Sequence, residues 1–500
     1  MIGLPDIDST YIDFRANDFR TSYNDMLSVF PGLKDIKQPH IKDIQYLRFR
    51  GDFTGFLKDF VTNGTIETNL GTVKTDLNMK FPVNKVPAYS GKIAASSFQL
   101  GSFLGVSQLG TVSFNGTIKG KGFSAKTFDA SFDGKFAQIQ YNDYNYQNIT
   151  VNGQLNRKLF KGLANIDDPN AIASLDGTID FSTKKPEFNF FAEIKRGNLK
   201  AIGFAKENLN VIGKFDMNFN GDNIDNFLGT VSLYDVAVTK DGETFVFDTL
   251  TLSSQMVDQQ KILQLRNTEA SAFLMGDFNI RDLPNTVRQF LNKYYPAYIS
   301  APNKPIKNQN FLFQLDVKNI DQYLTLLDKR LSGFNNSTIV GSLNSRTNLM
   351  ALSAMVPHAA YDKIEVSDFN LKAIGNMDCL KVNADMGNTT INDSLQFPST
   401  KISIATSQDV SQLNINTAAT QTINNANLSA QITTLEDGLR IHFDPSTVVL
   451  NEKTWKIDKG GEITLSRSLV DANEIRVTNG EQEITLVTRK SEIGNWNDIV

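Results

Sequence analysis

The sequence predicts an all-β protein built from a repetitive sheet, and three observations predict it. The first is alternation with a period of two. Phe128 to Phe136 places apolar or small residues at every even position and polar ones between. Successive side chains on a strand point to opposite faces, so such a strand has one apolar and one wet face. The pattern returns at Phe188–Ile194, Phe215–Phe219, Phe311–Val317 and Leu439–Phe443. The second is a loose motif of apolar residue, any residue, Gly, any residue, apolar residue. It occurs at Phe49–Phe53, Phe114–Ile118, Phe132–Phe136, Val151–Leu155, Leu175–Ile179 and Val211–Phe215. The glycines of the middle four, Gly116, Gly134, Gly153 and Gly177, are 18, 19 and 24 residues apart. Gly inside a strand marks a bend, a bulge or a close backbone approach, and its recurrence points to stacked strands. The third is enrichment in Thr, Val and Ile between these stretches.

Taken in order, Ser22 to Phe30 reads as a helix, with Ser22 and Asp25 at capping-box spacing and Pro31 as its stop. Asn142 to Tyr146 is polar and aromatic and reads as a loop or edge strand. Asp167-Asp168-Pro169-Asn170 and Asp241-Gly242 carry turn chemistry. Asp282 is placed to cap a helix over Leu283 to Tyr294, with Leu283, Val287, Leu291 and Tyr294 on one face. Asp321 is placed to cap another over Gln322 to Leu331. The Pro- and Asn-rich stretch from Ala301 to Asn310 is the best break in the chain. It divides residues 1–300, a repetitive β segment with short helices near 22–30 and 283–294, from a β continuation over 301–500. Residues 376–432 are rich in Asn, Thr and Ser, which fits polar strands with small faces or partial disorder.

Composition removes several functions. The 50 basic and 54 acidic residues give a net charge of -4, against the basic surface that phosphate contacts require, so no nucleic acid is expected as partner. A single cysteine, Cys379, excludes a thiolate zinc or iron–sulfur site within one chain. It reads as a small core hydrophobe. Three scattered histidines, His40, His358 and His442, leave little for a His-rich metal site. Asp167, Asp168 and Asn170 could ligate calcium, but no full ligand loop follows, and a turn is the better reading. The Gly-Lys pairs lack the Ser or Thr of a phosphate loop, and neither a nucleophile elbow nor a zincin helix occurs. No catalytic residue, metal or cofactor is therefore assigned. Phe is abundant, at 35, while Trp occurs twice, which also disfavours a carbohydrate enzyme built on aromatic sugar platforms. No signal peptide is visible, and no apolar run reaches 18 residues.

Residues 2–20, 45–80 and 110–195 resemble the TamB and AsmA-like envelope proteins in their Bacteroidetes form. The likeness is carried by Ile2-Gly3-Leu4-Pro5 with Ser9-Thr10-Tyr11-Ile12, by Phe49 to Phe56 and by Leu70 to Leu77. It continues in Gly120-Lys121-Gly122-Phe123, Tyr141 to Ile149, Asp168-Pro169-Asn170 and Gly177 to Ser182. The resemblance implies a periplasmic protein with an inner-membrane anchor, which this chain lacks, so the chain would be an internal segment. It implies a long sheet curled into an apolar groove, a role in outer-membrane protein assembly or phospholipid movement, and an Omp85-type partner in the outer membrane.

With the resemblance added, the expected fold is an elongated, curled antiparallel or mixed sheet forming a taco-like β-groove with a few short helices. A β-solenoid or a stacked β-sandwich is the alternative. At roughly 20 residues per strand and turn, about 25 strands would stack to on the order of 120 Å. A sandwich would bury the Phe stripes against protein, whereas a groove would offer them to phospholipid acyl chains. The residues expected to line the groove are Phe114, Ile118, Phe128, Phe132, Phe136, Phe188, Phe190, Phe215, Phe219, Phe311 and Phe313. An extracellular β-solenoid adhesin or scaffold is the competing function.

Overall fold

The computed structural model describes residues 9–499 except 30–33, 35–38, 83–84, 124–125, 157, 305, 308, 325–327, 377, 393–394, 420–422, 458–460, 467–469 and 491–496. The chain is nearly all β, and its main sheet is not closed into a barrel. Every ladder described is antiparallel, so the mixed sheet and the parallel rungs of a solenoid are not what forms. The chain divides into two compact units, Met1–Leu250 and Thr251–Val500.

The first unit is a meander. Its strands are β1 (Ile12–Ser22), β2 (Tyr46–Phe56), β3 (Asp59–Thr68), β4 (Gly71–Lys80), β5 (Ala88–Gln99), β6 (Leu109–Lys121) and β7 (Asp129–Tyr141). They continue as β8 (Tyr144–Asn156), β9 (Leu159–Asp167), β10 (Ala171–Asp180), β11 (Glu187–Gly197), β12 (Leu209–Asn220) and β13 (Leu228–Lys240). Consecutive strands pair from β1–β2 through β12–β13, and a short helix α2 (Leu100–Leu104) joins β5 to β6. The next strand, β14 (Glu243–Val257), straddles the division.

The repeat glycines meet across strands. Gly51 faces Gly64, Gly116 faces Gly134, and Gly153, Gly162 and Gly177 form one row. Turns are tight where the sequence lacks bulk. Asn142 and Asp143 take left-handed φ of 47° and 63°, a two-residue hairpin matched to strand twist. That segment is thus a turn followed at once by β8, with Tyr146 buried, rather than a loop or an edge strand. The turn expected at Asp241-Gly242 forms in the same way.

Helix α1 (Tyr23–Val29) has the expected capping box: the Ser22 amide and hydroxyl donate to Asp25 Oδ2, and the Asp25 amide donates to Ser22 Oγ. Its expected end at Phe30 and Pro31 lies outside the described residues. On β1–β3, hydrogen bonds from the Arg48 and Arg20 guanidiniums hold the Asp18 carboxyl down to about 2, from an ordinary 3.8. A folded-state value below the unfolded one means that this contribution is complete above about pH 4 and fades as pH falls through about 2. A carboxyl-carbon NMR titration should find the Asp18 midpoint near 2 rather than at its ordinary 3.8.

The second unit continues with β15 (Gln260–Asn267), β16 (Ala270–Asp277), α3 (Leu283–Asn292) and β17 (Asn310–Val317). After helix α4 (Asp321–Leu324) come β18 (Leu331–Gly333), β19 (Ser337–Asn344), β20 (Leu349–Tyr361), β21 (Ile364–Gly375) and β22 (Leu380–Met386). The Asn- and Thr-rich stretch is largely strand, including β23 (Asn388–Ile391), β24 (Leu395–Phe397), β25 (Ser399–Ser407), β26 (Val410–Ala418) and β27 (Ile423–Thr434). The expected helix from Gln322 to Leu331 is corrected. The described helix ends at Leu324, Leu331 begins β18, and residues 325–327 lie outside the described set. The Asp321 carboxylate accepts from the Gly333 amide and the Asn335 side chain, so it ties down the β18 region.

Helix α3 forms where expected, and of its expected face Leu283 and Leu291 pack against the core and Tyr294 is buried. Thr286, Phe290 and Tyr294 are buried, while Val287 is 46% exposed. Only Val287 departs from the expectation: the buried face is turned toward Phe290, which with Tyr294 packs onto Phe311, Leu343 and Leu380 in a core. Phe290 sits where Gly375 leaves room: a Cβ there would lie 2.4 Å from the ring. Asp282 makes no side-chain cap. Instead Asn279 accepts from the Asp282 amide one turn earlier.

Candidate functional site

The register of the first unit sorts its side chains into two faces. One row runs Phe14, Phe53, Thr62, Leu77, Gly91, Ile118, Phe132, Gly153, Gly162, Gly177, Phe190, Met217, Val231 across all thirteen strands. Two residues along lies the row Ala16, Gly51, Gly64, Thr75, Ile93, Gly116, Gly134, Val151, Ala164, Leu175, Ala192, Phe215, Leu233. Flanking rows add Tyr89, Leu155, Phe160, Phe188 and Phe219 on one side, and Phe49, Phe114, Phe136, Ile149 and Ile194 on the other. No position in these four rows is charged. They span about 20 Å along the strands and roughly 60 Å across them.

The opposite face carries Arg15, Asp52, Asn63, Asp76, Lys92, Thr117, Asp133 and Asn152 in one row, then Leu163, Asp176, Phe191 and Asp216. Phe191 thus falls outside the apolar face and is 44% exposed.

Of the residues expected to line a groove, Phe114, Ile118, Phe132, Phe136, Phe188, Phe190, Phe215 and Phe219 all lie on the uncharged face, and all are half-buried. Phe128, half-buried, enters β7 from the preceding loop. A facing sheet would bury such rings, as Phe290 is buried at 2%. Here the rings shield one another sideways. Phe114, Phe132 and Phe136 form a triangle with centroids 5.3 to 5.9 Å apart, and Phe188 stacks on Phe219 at 4.6 Å.

Phe311 and Phe313 lie on β17 of the second unit. Phe311, at 8% exposure, is packed under α3, with half-buried Phe313 beside it. That helix is anchored: Tyr294 donates its hydroxyl to the Asn376 carbonyl, and the Tyr295 and Thr406 hydroxyls bond at 2.8 Å. The sequence showed the helix but not its seat, because the contact joins residues far apart in the chain.

Asp168 is an acidic residue 2% exposed. Its carboxylate accepts from the Tyr144 hydroxyl, the Gln147 amide at 2.9 Å and the Asn170 amide at 2.8 Å. It fastens the β9–β10 turn to the start of β8 and leaves little for a calcium ion. Asp168→Ala is expected to cost about 2–3 kcal/mol, because two amides and a hydroxyl lose their acceptor. Calcium should leave the melting temperature of the parent protein unchanged in calorimetry. No cluster of three or more metal-ligating side chains gathers among the described residues. No helix among them is long and apolar enough to cross a membrane.

Fold and site together define an all-β protein whose antiparallel sheet presents a broad, uncharged, half-exposed face. No family model, no curated protein and no solved structure matches this chain.

Proposed function

We propose that the chain is a non-enzymatic cell-envelope protein of the TamB and AsmA-like type. Its uncharged face serves as a trough for phospholipid acyl chains, supporting outer-membrane biogenesis by lipid transport between membranes or by assisting outer-membrane protein assembly. The observation that carries this reading is the four-row uncharged face of the first unit, with its large rings half-exposed. Each acyl CH₂ moved from water onto such a face gains about 0.8 kcal/mol, so ten carbons gain about 8 kcal/mol before ordering costs. Apolar contact has no direction, so a chain held this way slides between neighbouring rows without breaking hydrogen bonds. A periplasmic location, an inner-membrane anchor outside this chain and an Omp85-type partner belong to the same proposal and rest on the sequence resemblance.

Lipid mass spectrometry on the chain purified from a bacterial host tests it. Phospholipid co-purifying at one or more per chain is the expected result. A folded chain free of lipid would favour the scaffold reading instead.

A further inference from the structure

In a meander the connections alternate between the two ends of the strands, so the trough of the first unit has two rims. The connections β2–β3, β4–β5, β6–β7, β8–β9 and β10–β11 share one rim. With their flanking strand ends, their described residues hold eight lysines against four acids, Asp59, Asp129, Asp180 and Glu187. The intervening connections β3–β4, β5–β6, β7–β8 and β9–β10 on the other rim hold no lysine or arginine and carry Asp143 and Asp168, with Asp167 at the end of β9, while the outer connections of that rim, β1–β2 and β11–β12, hold Lys34, Lys42, Lys200 and Lys206 with Asp43 and Glu207. Lys80 and Lys121 pair with Asp59 and Asp129. Lys85, Lys126, Lys158, Lys184 and Lys185 are exposed and have no ion-pair partner among the described residues. The basic stretch ends at β11, since the β12–β13 connection carries Asp222 and Asp225.

The same rim exposes apolar side chains between its lysines. Phe123 is 48% and Phe181 51% exposed, with Phe56, Leu57 and Val86 beside other connections. The opposite rim also exposes Leu104, Val106 and Tyr141, so apolar exposure alone does not separate the two; over the stretch from β2 to β11 the lysines do. The aromatic rings run inward without a break. Phe123 stacks on Tyr89 at 5.1 Å and on Phe81 at 6.3 Å, and Phe81 stacks on Phe60 at 6.0 Å. Tyr89 and Phe60 belong to the uncharged face, and Phe181 meets Phe188 of that face at 5.8 Å.

Lysines interleaved with exposed aromatic rings fit the boundary between headgroups and acyl chains of an anionic bilayer, where cations meet phosphate and rings enter the interface. We propose that this rim docks the first unit on an anionic phospholipid surface, so that lipid enters the trough sideways over the Phe123 and Phe181 rings. The proposal rests on the lipid-carrying reading of the trough for its purpose.

The test is co-sedimentation of the full chain with vesicles of phosphatidylcholine alone, or with about one-third phosphatidylglycerol added. A lysine near an anionic surface contributes about a five-fold gain in affinity, so Lys85→Glu, Lys126→Glu, Lys184→Glu and Lys185→Glu together should lose at least about 100-fold on the anionic vesicles. Binding by the parent chain should also weaken steeply with salt. Equal binding to both vesicle types, or a folded quadruple variant that binds as the parent does, overturns the docking. The circular dichroism of the variant establishes that it folds. Phospholipid content, measured on the same proteins, separates the two readings. A chain that binds vesicles through these lysines but carries no lipid keeps the rim and loses the trough. A chain that carries lipid but ignores the lysines keeps the trough and loses the rim.

Discussion

Phe132→Asp is expected to leave the first unit folded and, on the proposed lipid-carrying reading, to strip it of phospholipid. Phe132 sits opposite Ile118 and Gly153, with the Phe114 and Phe136 rings on its flanks. Losing the half-buried ring costs about 1.5–3 kcal/mol of apolar contact. The new carboxylate adds little further cost, because a half-exposed position lets it stay hydrated. In a closed sandwich core the same carboxylate would be stranded without a partner, and the unit would not fold at neutral pH. With lipid present the balance reverses. An acyl chain crossing that row would have to dehydrate the charge, so bound phospholipid should fall about 30-fold or more, equivalent to roughly 2 kcal/mol. Lipid mass spectrometry and thermal melts on the same sample read both effects. A variant that unfolds would show that the face is a sealed core. A folded variant with unchanged lipid would place the lipid elsewhere.

The strands were legible because period two survives wherever one face is wet. Phe128 to Phe136 and Phe215 to Phe219 carry the same parity in sequence and in structure. The half-exposure of their rings was not legible, since alternation is identical whether a face is later covered or left open. Parity also fails at bulges. Asn148 takes a φ of 50° within β8, so Tyr146 and Ile149, of opposite parity, are both buried. Ser97 and Asp235 interrupt β5 and β13 with φ of 46° and 50°. Each is a polar residue, and nothing local separates it from an ordinary outward-facing one. The seat of α3 was hidden for a different reason. Val287 is more apolar than Thr286, so a helical wheel places it with Leu283, Leu291 and Tyr294 on the core face and leaves Thr286 out. Thr286 is buried because its hydroxyl donates to the Asp282 carbonyl and accepts from Gln309.

The glycine rows carry the largest backbone effect expected in the first unit. Gly177 has a φ of +146°, a region L-residues rarely enter. A Cβ there would lie 2.3 Å from the Asn189 carbonyl oxygen and 2.4 Å from Phe190 Cα. Gly177→Ala therefore combines strain of about 1–3 kcal/mol with an overlap that only a backbone shift of β10 against β11 relieves. The sum is expected to reach about 3–5 kcal/mol, lowering the melting temperature of this unit by about 10 °C. Gly242→Ala is the matched control. Its φ of +90° is also strained for alanine, but nothing lies within 4 Å of the added carbon, so about 1 kcal/mol is expected. Equal melting of the two variants would show that the strands are free to part at Gly177. Gly177 stands between Gly162 and Phe190 in the uncharged row, so a side chain that pushes β11 away also moves Phe190 out of line with Met217. Stability and lipid capacity should then fall together in Gly177→Ala, whereas in Phe132→Asp most of the loss falls on lipid.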